Sequence, residues 1–344
     1  MRALAILTVK NEAAFLLEWL AHHRTTGFTD FLVFSNDCSD GTDSLLDRLA
    51  AIGRVTHVRN DGPHSGGPQW SALKQAEKHP LYAAADWALV LDIDEFVNIH
   101  AGARRLADLF SALPPEATAV QLTWRMFGNA GIVRYQDRPV RDQFTKCAPV
   151  SLSWPWRAQM FKTLFRPGAG QARPGVHRPR KGGPENLSAE MPPAQQGFDG
   201  SGRAIPPATR LFSDYTRDNY QLVQLNHYAL GAMESYLVKC DRGRANRDAS
   251  AFDMGYWVER NLNQVEDRSI LALDISSELA DLHADPELSR LHLAAVLWRQ
   301  TRVQTLLQDE SWRSLFGRLM MSAPSRALGP EAAALLFTSR LRKP

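Results

Sequence analysis

Two hydrophobic periods alternate through the first hundred residues. "ALAILTV" (3–9) is an unbroken apolar run of the length of a strand buried on both faces. From 11 to 27 the period becomes helical and places Phe15, Leu16, Trp19, Leu20 and His23 on one face. Asn11 reads as the N-cap of that helix, Glu12 suits its positive end, and Gly27 its stop. The pattern repeats: a strand at 30–35, the polar turn "NDCSDGT", and the helix "DSLLDRLAAIG" stopped by Gly53. A strand at 54–58, the loop "DGPHSGGPQ", a helix at 70–79 and a strand at 87–94 complete the series. Strands alternating with helices in this way predict an α/β fold with an open, mostly parallel sheet.

After residue 115 the rhythm changes. "TAVQLTWRMFG" and "YQLVQLNHYAL" read as strands, and "MESYLVKCDRGRANR" begins as a helix. Residues 166–210 are rich in Pro, Gly and Arg, an insert too long for an idle connection. From about 276 onward the pattern is helical. The predicted organisation is one domain over 1–275, with the insert, and a helical C-terminal extension over 276–344.

Charge narrows the function. A net charge of +3 over 344 residues is no nucleic-acid signature, although it suits an anionic small substrate or an anionic membrane face. Cys38, Cys147 and Cys240 are too few and too scattered for a disulfide framework, which fits a reducing compartment. "MRALAILTVKNE" reaches a charge after too short an apolar run for a secretory leader, so the expected address is the cytoplasm. The arginines of the C-terminal helices, set beside Leu and Trp, read either as packing against the main domain or as a face for a partner. A peripheral contact with the inner membrane face is the membrane form of the second reading.

The chemistry concentrates in "DWALVLDIDEFVNIH" (86–100). Asp92, Asp94 and Glu95 crowd three carboxylates at a strand end, where ligands of open α/β sheets bind. Alternation along an extended segment turns Asp92 and Asp94 to one side and Ile93 to the core. Such a pair offers hard oxygens to Mg²⁺ or Mn²⁺, completed by phosphate oxygens and water. The plainer reading is a solvated acidic turn. Two enzyme classes place Asp-x-Asp here. Phosphatases with an aspartyl nucleophile follow it with Gly-Thr, whereas this chain has Glu95-Phe96. The other class is sugar-nucleotide-dependent glycosyltransferases.

"LTVKNEAAFLLEWLAHHRTTGFTDFLVFSNDCSDGT" followed by "WALVLDIDEF" resembles the family 2-like glycosyltransferases of bacteria. It also resembles the related family 92, to which plant galactan synthases belong. "WRMFGNAG" (124–131), "KTLFRP" (162–167), Val176-His177 and "NHYALGAMESYLVKCDRGRAN" continue the resemblance in order, over about 3–247. The chain departs at Gly231-Ala232, where the group often has a basic-Ser pair, and in the long insert. The resemblance implies a GT-A fold, a nucleotide-sugar donor, a divalent metal and inversion at the anomeric carbon.

The roles it suggests are these. Asn11 and Glu12 would face the base and ribose, Asp37 the base, and Lys74 the donor from its helix. Asp92 and Asp94 would hold Mn²⁺ or Mg²⁺ on the diphosphate of a UDP-sugar. His227 would be the third ligand, with His177 as the alternative. Lys239, Arg242 and Arg244 would form a cationic lid over the departing UDP. The general base that takes a proton from a glycan or other hydroxyl acceptor would be Asp137 or Asp142, with Glu95 and Glu234 as further candidates. The aromatic cluster "SWPWRAQMF" (153–161) reads as a sugar-stacking face or as core. The competing functions are a metal-dependent phosphatase or phosphotransferase, and a non-catalytic nucleotide-sugar-binding protein.

Overall fold

Alternate residues of the first strand lie in different cores. Ala3, Ala5 and Leu7 belong to one apolar cluster, and Leu4 and Ile6 to the other. A strand covered on both faces has no solvent side, which is why its sequence shows no polar alternation. The computed structural model describes residues 1–180, 196–206, 212–214, 216–243 and 253–338. Strands β1 (Ala3–Val9), β2 (Asp30–Ser35) and β3 (Thr56–Arg59) alternate with α1 (Ala13–Thr26), α2 (Thr42–Ala51) and α3 (Pro68–Lys78). The short α4 (Pro80–Ala83) leads into β4 (Trp87–Leu91), β5 (Glu95–Ile99), α5 (Leu106–Ala112) and β6 (Ala119–Met126). There follow α6 (Val140–Gln143), β7 (Lys146–Cys147), β8 (Phe161–Phe165), β9 (Gly197–Phe198), β10 (Ala204–Ile205) and β11 (Val223–His227). The chain continues through α7 (Met233–Arg242), α8 (Met254–Val258), β12 (Val265–Glu266), α9 (Ser276–His283), α10 (Pro286–Leu306), α11 (Glu310–Met321) and α12 (Pro330–Thr338).

The main sheet runs β10-β9-β6-β8-β4-β1-β2-β3, with β11 joined to β6 and β5. The amino-terminal half, β4-β1-β2-β3, is parallel, as the alternating pattern predicts. In the other half β8 lies antiparallel between β4 and β6. β11 runs parallel to β6 and antiparallel to β5. β8 falls in "FKTLF", which the sequence reading treats as aromatic cluster and motif rather than as a strand.

The C-terminal helices complete the core. Leu282, Leu288 and Ala295 join the cluster that contains β1 and α1. Ion pairs Arg24–Glu278 (2.5 Å) and Arg48–Asp285 (2.5 Å) tie α9 and the start of α10 to α1 and α2. Packing against the main domain is thus the reading the structure adopts for these helices. Among the described residues no helix is long and apolar enough to cross a membrane.

One expectation at α1 is corrected. Asn11 has φ 52° and does not cap the helix. Its side chain instead bridges to Ser39, accepting from the backbone N–H at 2.7 Å. The orphan amides at the helix start are met from the β2–α2 loop and the first residue of α2: Glu12 N–H donates to Thr42 Oγ1 (2.9 Å) and Ala13 N–H to Asp40 Oδ2 (3.0 Å).

α1 also carries buried titratable groups. His22 Nε2 lies 2.8 Å from Val97 O, and its Nδ1 lies 3.1 Å from Arg141 Nη1, so both ring nitrogens are engaged in the neutral tautomer. Burial pushes His22 well below its ordinary pKa and His23 to about 3. A histidine depressed on folding contributes stability that is full above about 6.5 and is lost as pH falls through the folded value. Burial pushes Glu18, which accepts from Val140 and Arg141 N–H, up to about 7. It therefore works in the opposite direction, losing stability as pH rises between about 4.5 and 7. Each group contributes a slope of about 1.4 kcal/mol per pH unit in its window. Urea unfolding should therefore show stability falling below pH 6.5 and more steeply below about 4.5. A curve flat from pH 7 to 4 would contradict the buried neutral pair.

Candidate active site

The Asp-x-Asp segment is a turn and not the extended strand end that alternation suggests. β4 stops at Leu91, and Glu95 N–H donates back to Asp92 O at 3.1 Å. The Glu95 side chain closes the turn from inside: Oε2 accepts from Asp92 N–H (2.8 Å) and Oε1 from Trp124 Nε1 (2.7 Å). Asp92 and Asp94 are left partly exposed, and both line a cavity of 710 Å³. The cavity lies at the carboxyl ends of β1, β4 and β11, through Thr8–Lys10, Asp92–Asp94 and His227.

Two lysines answer the carboxylate crowding. Lys162 on β8 has a side chain only 1% exposed, and its Nζ sits 3.0 Å from Asp92 Oδ2 and 3.5 Å from Glu95 Oε2. Burial disfavours its charge, but Asp92 and Glu95 outweigh burial and raise its pKa. Burial pushes the Glu95 carboxyl upward against the pull of Lys162. Lys239 on α7 donates to Asp94 Oδ2 and to Ala229 O, both at 2.6 Å. The other oxygen of Asp94 faces His227 Nε2 at 3.6 Å. Burial alone would raise Asp94, yet Lys239 and His227 hold it well below the carboxylate range. Burial lowers His227, with Asp94 pulling only partway back, so the imidazole is neutral near pH 7.

The position of His227 follows from the sheet. It ends β11, opposite Glu95 on one side and Met126 on the other, and Tyr228 N–H donates to Asp94 O at 2.8 Å. Gly231 at φ 63° turns the chain into α7, whose Lys239 and Arg242 lie three residues apart. Helical spacing puts both on one face, and both line the cavity. Arg242 is held by Lys10 O (3.0 Å) and by the Glu12 carboxylate.

The structure thus joins Asp92, Asp94, His227, Lys239 and Arg242 in one cavity. Other expected site residues lie elsewhere. Asp137 pairs with His292 at 2.9 Å and Asp142 is exposed beside Arg141; neither lines the cavity. Glu95 is sealed in the turn, and Glu234 accepts from Tyr135 N–H at 2.8 Å. Glu12 engages Arg242. Asp37 accepts from Gly62 N–H (3.1 Å) and ties two loops together outside the lining. Lys74 is exposed on α3; the same helix presents Gln69 instead, 3.5 Å from Asp92 Oδ1. His177 does line the cavity, with burial pushing it to about 4. From the 153–161 cluster, Arg157 and Met160 line it. Arg244 lies outside the described residues, as does part of the insert.

Sequence reasoning gave no role to Lys162, nor to Tyr256 and Arg260, which line the cavity. The signal for Lys162 was available: a lone lysine inside "MFKTLF" has no solvent side on a central strand and requires buried carboxylates.

As a cation site, an ionised carboxylate oxygen facing a neutral imidazole nitrogen is a donor pair suited to Mn²⁺ or Mg²⁺. Each aspartate has one oxygen on a lysine, Asp92 on Lys162 (3.0 Å) and Asp94 on Lys239 (2.6 Å), but of the two only Asp94 faces an imidazole, and among the described residues no group of three His, Cys, Asp or Glu converges for a metal. The residues therefore fit two protein ligands, Asp94 and His227, rather than the three expected.

The family model for glycosyltransferase family 92 matches residues 5–181. A glycosyltransferase family 92 protein of rice, Oryza sativa subsp. japonica, is 25% identical over 167 residues, which are 47% of this chain and 26% of that protein. The chain thus spans about a quarter of the length of this curated relative. Among solved structures, Staphylococcus aureus TarS 1–349 in complex with UDP-GlcNAc is similar with TM-score 0.29 and 20% identity. That match covers 48% of this chain and 45% of TarS 1–349. A cytidylyltransferase from Leptospira borgpetersenii is similar with TM-score 0.24 and 12% identity, over 36% of this chain and 54% of that one. At these TM-scores neither likeness bears on fold or chemistry.

Proposed function

This chain belongs to glycosyltransferase family 92, and on that premise we propose that it transfers a sugar from a nucleotide-sugar, a UDP-sugar, to a hydroxyl of a glycan or other acceptor. The carrying observation is the junction of Asp94, His227 and Lys239 at the carboxyl edge of the sheet, on a cavity of 710 Å³. Lys239 and Arg242 face the space where a departing diphosphate gains negative charge, and fixed cations there stabilise the transition state more than the ground state. Glu12 and Lys10 O hold Arg242 in place, so little ordering is left for the moment of reaction. Asp94 and His227 would hold a divalent ion; such an ion, when bound, neutralises diphosphate charge. Inversion asks one carboxylate to take the acceptor proton. With Asp137 and Asp142 outside the cavity, Asp253 and Glu259 are the lining carboxylates beyond the Asp-x-Asp pair.

A thermal-shift panel of nucleotides and nucleotide-sugars, with and without Mn²⁺, tests the reading. UDP and UDP-sugars at about a hundred times Kd should raise Tm by on the order of 5 °C, and by much less without Mn²⁺. Protection by no nucleotide, under either condition, would defeat the proposal. Protection equal with and without Mn²⁺ would remove the metal from it.

A further inference from the structure

The cavity has a second cationic wall that neither the Asp-x-Asp motif nor α7 supplies. Arg260 follows α8 with a side chain 9% exposed, and it lines the same cavity as Asp94, His227 and Lys239. Its guanidinium lies 3.7 Å from the centroid of the Tyr256 ring. The Lys239 ammonium lies 5.9 Å from the centroid of that same ring. One aromatic ring therefore carries two cations, and one of them is the counter-ion of Asp94.

Arg260 is not neutralised in the way its neighbours are. Lys239 has Asp94, and Arg242 has Glu12. Arg260 Nη1 donates to Tyr256 O (3.3 Å) and reaches Glu259 Oε2 at 3.4 Å, but Arg157 Nη1 reaches that same oxygen at 3.4 Å. Two guanidiniums thus share one carboxylate oxygen and leave a surplus positive charge. In addition, Arg260 Nε is buried with no hydrogen-bond partner among the described residues. A buried charged N–H without an acceptor is costly, and native structures retain such groups where a ligand completes them. With Nη1 engaged, the edge left to Arg260 carries Nε and Nη2, the edge that binds a phosphate through two parallel hydrogen bonds.

We infer that Arg260, stacked on Tyr256, is a phosphate-binding residue of this cavity and grips the diphosphate of the donor. The inference rests on the nucleotide-sugar reading above for the identity of the diphosphate. A carboxylated acceptor would also suit a guanidinium. The shared Tyr256 ring decides for the donor, because it places Arg260 beside the Lys239–Asp94 pair.

The test is calorimetric titration of the full chain, at fixed Mn²⁺, with UDP, uridine and inorganic pyrophosphate. Arg260→Gln should weaken UDP and pyrophosphate about tenfold or more and leave uridine unchanged. Arg260→Lys, which keeps the charge but gives up the fork and the stack, should show a smaller loss for the two phosphorylated probes. Should the Gln variant fail to fold, the Lys variant decides, and its losing nothing for UDP overturns the inference. UDP affinity within about twofold of wild type in folded Arg260→Gln also overturns it, as does an equal loss for UDP and uridine, the mark of a structural role. Pyrophosphate binding that depends on Arg260, without any binding of UDP or uridine, would uphold the phosphate site and sink the nucleotide-sugar reading. Wild type binding neither UDP nor pyrophosphate would sink both.

Discussion

Asp94→Asn is expected to give a folded protein that has lost metal-dependent UDP binding. Its hydrolysis of donor sugar in the absence of acceptor should fall by on the order of 10²-fold or more. The fold should survive because the Asp94 side chain is partly exposed and lies in a turn. An asparagine oxygen can still accept from Lys239, whose second partner, Ala229 O, is untouched. What disappears is the negative charge that holds Lys239 and faces His227 at 3.6 Å. Asp92→Asn is the informative companion. The second oxygen of Asp92 has the Gln69 amide beside it where that of Asp94 has the His227 imidazole, so this variant should keep more of its Mn²⁺–UDP affinity than Asp94→Asn does. Titration of UDP into each variant with and without Mn²⁺ reads both effects. If Asp94→Asn binds Mn²⁺–UDP as tightly as wild type, the site has been assigned to the wrong carboxylate.

That asymmetry marks where sequence reasoning stops. The parallel half of the sheet was legible because buried strands and amphipathic helices write two distinct periods into the chain. The C-terminal end of α1 was legible for a local reason: Gly27 at φ 112° is a position few other residues adopt. The start of the same helix was not, because its amides are met by Asp40 and Thr42, twenty-seven and thirty residues away. Asp92, Asp94 and His227, which share one cavity, stood out because a carboxylate cluster and a His at the end of an apolar run are odd by themselves. Their partners were not found. Asp137 looked well placed along the chain, but the packing of α10 brings His292 to it. Sequence separation carries no direction, and a base must be chosen by direction.

Lys162→Met should be the most destabilising single change at the site. Methionine fills much of the same volume, so the loss is of charge rather than of packing. Lys162 lies on β8, between β4 and β6, within hydrogen-bond reach of Asp92 and in an ion pair with Glu95. Removing one member of a buried ionic cluster leaves the other uncompensated, at a cost of about 3–5 kcal/mol. In a domain of this size that lowers Tm by on the order of 10 °C. Part of the cost can be escaped: Asp92 is 37% exposed and can rehydrate, whereas Glu95 is fully buried and can only take up a proton. The deficit should therefore depend on pH. Without Lys162 the Glu95 carboxyl rises further, and an acid raised on folding loses stability as pH increases. Guanidinium unfolding at pH 8 should show the full deficit, and at pH 5 a smaller one. Lys162→Met combined with Glu95→Gln should recover part of the loss at pH 8. Recovery would be incomplete, because Asp92 N–H and Trp124 Nε1 donate to different carboxylate oxygens, and in glutamine one of those becomes an amide NH2 that cannot accept. A deficit of the same size at both pH values would mean that the loss does not pass through the charge of Glu95, and the lysine would then have no part in neutralising that carboxylate.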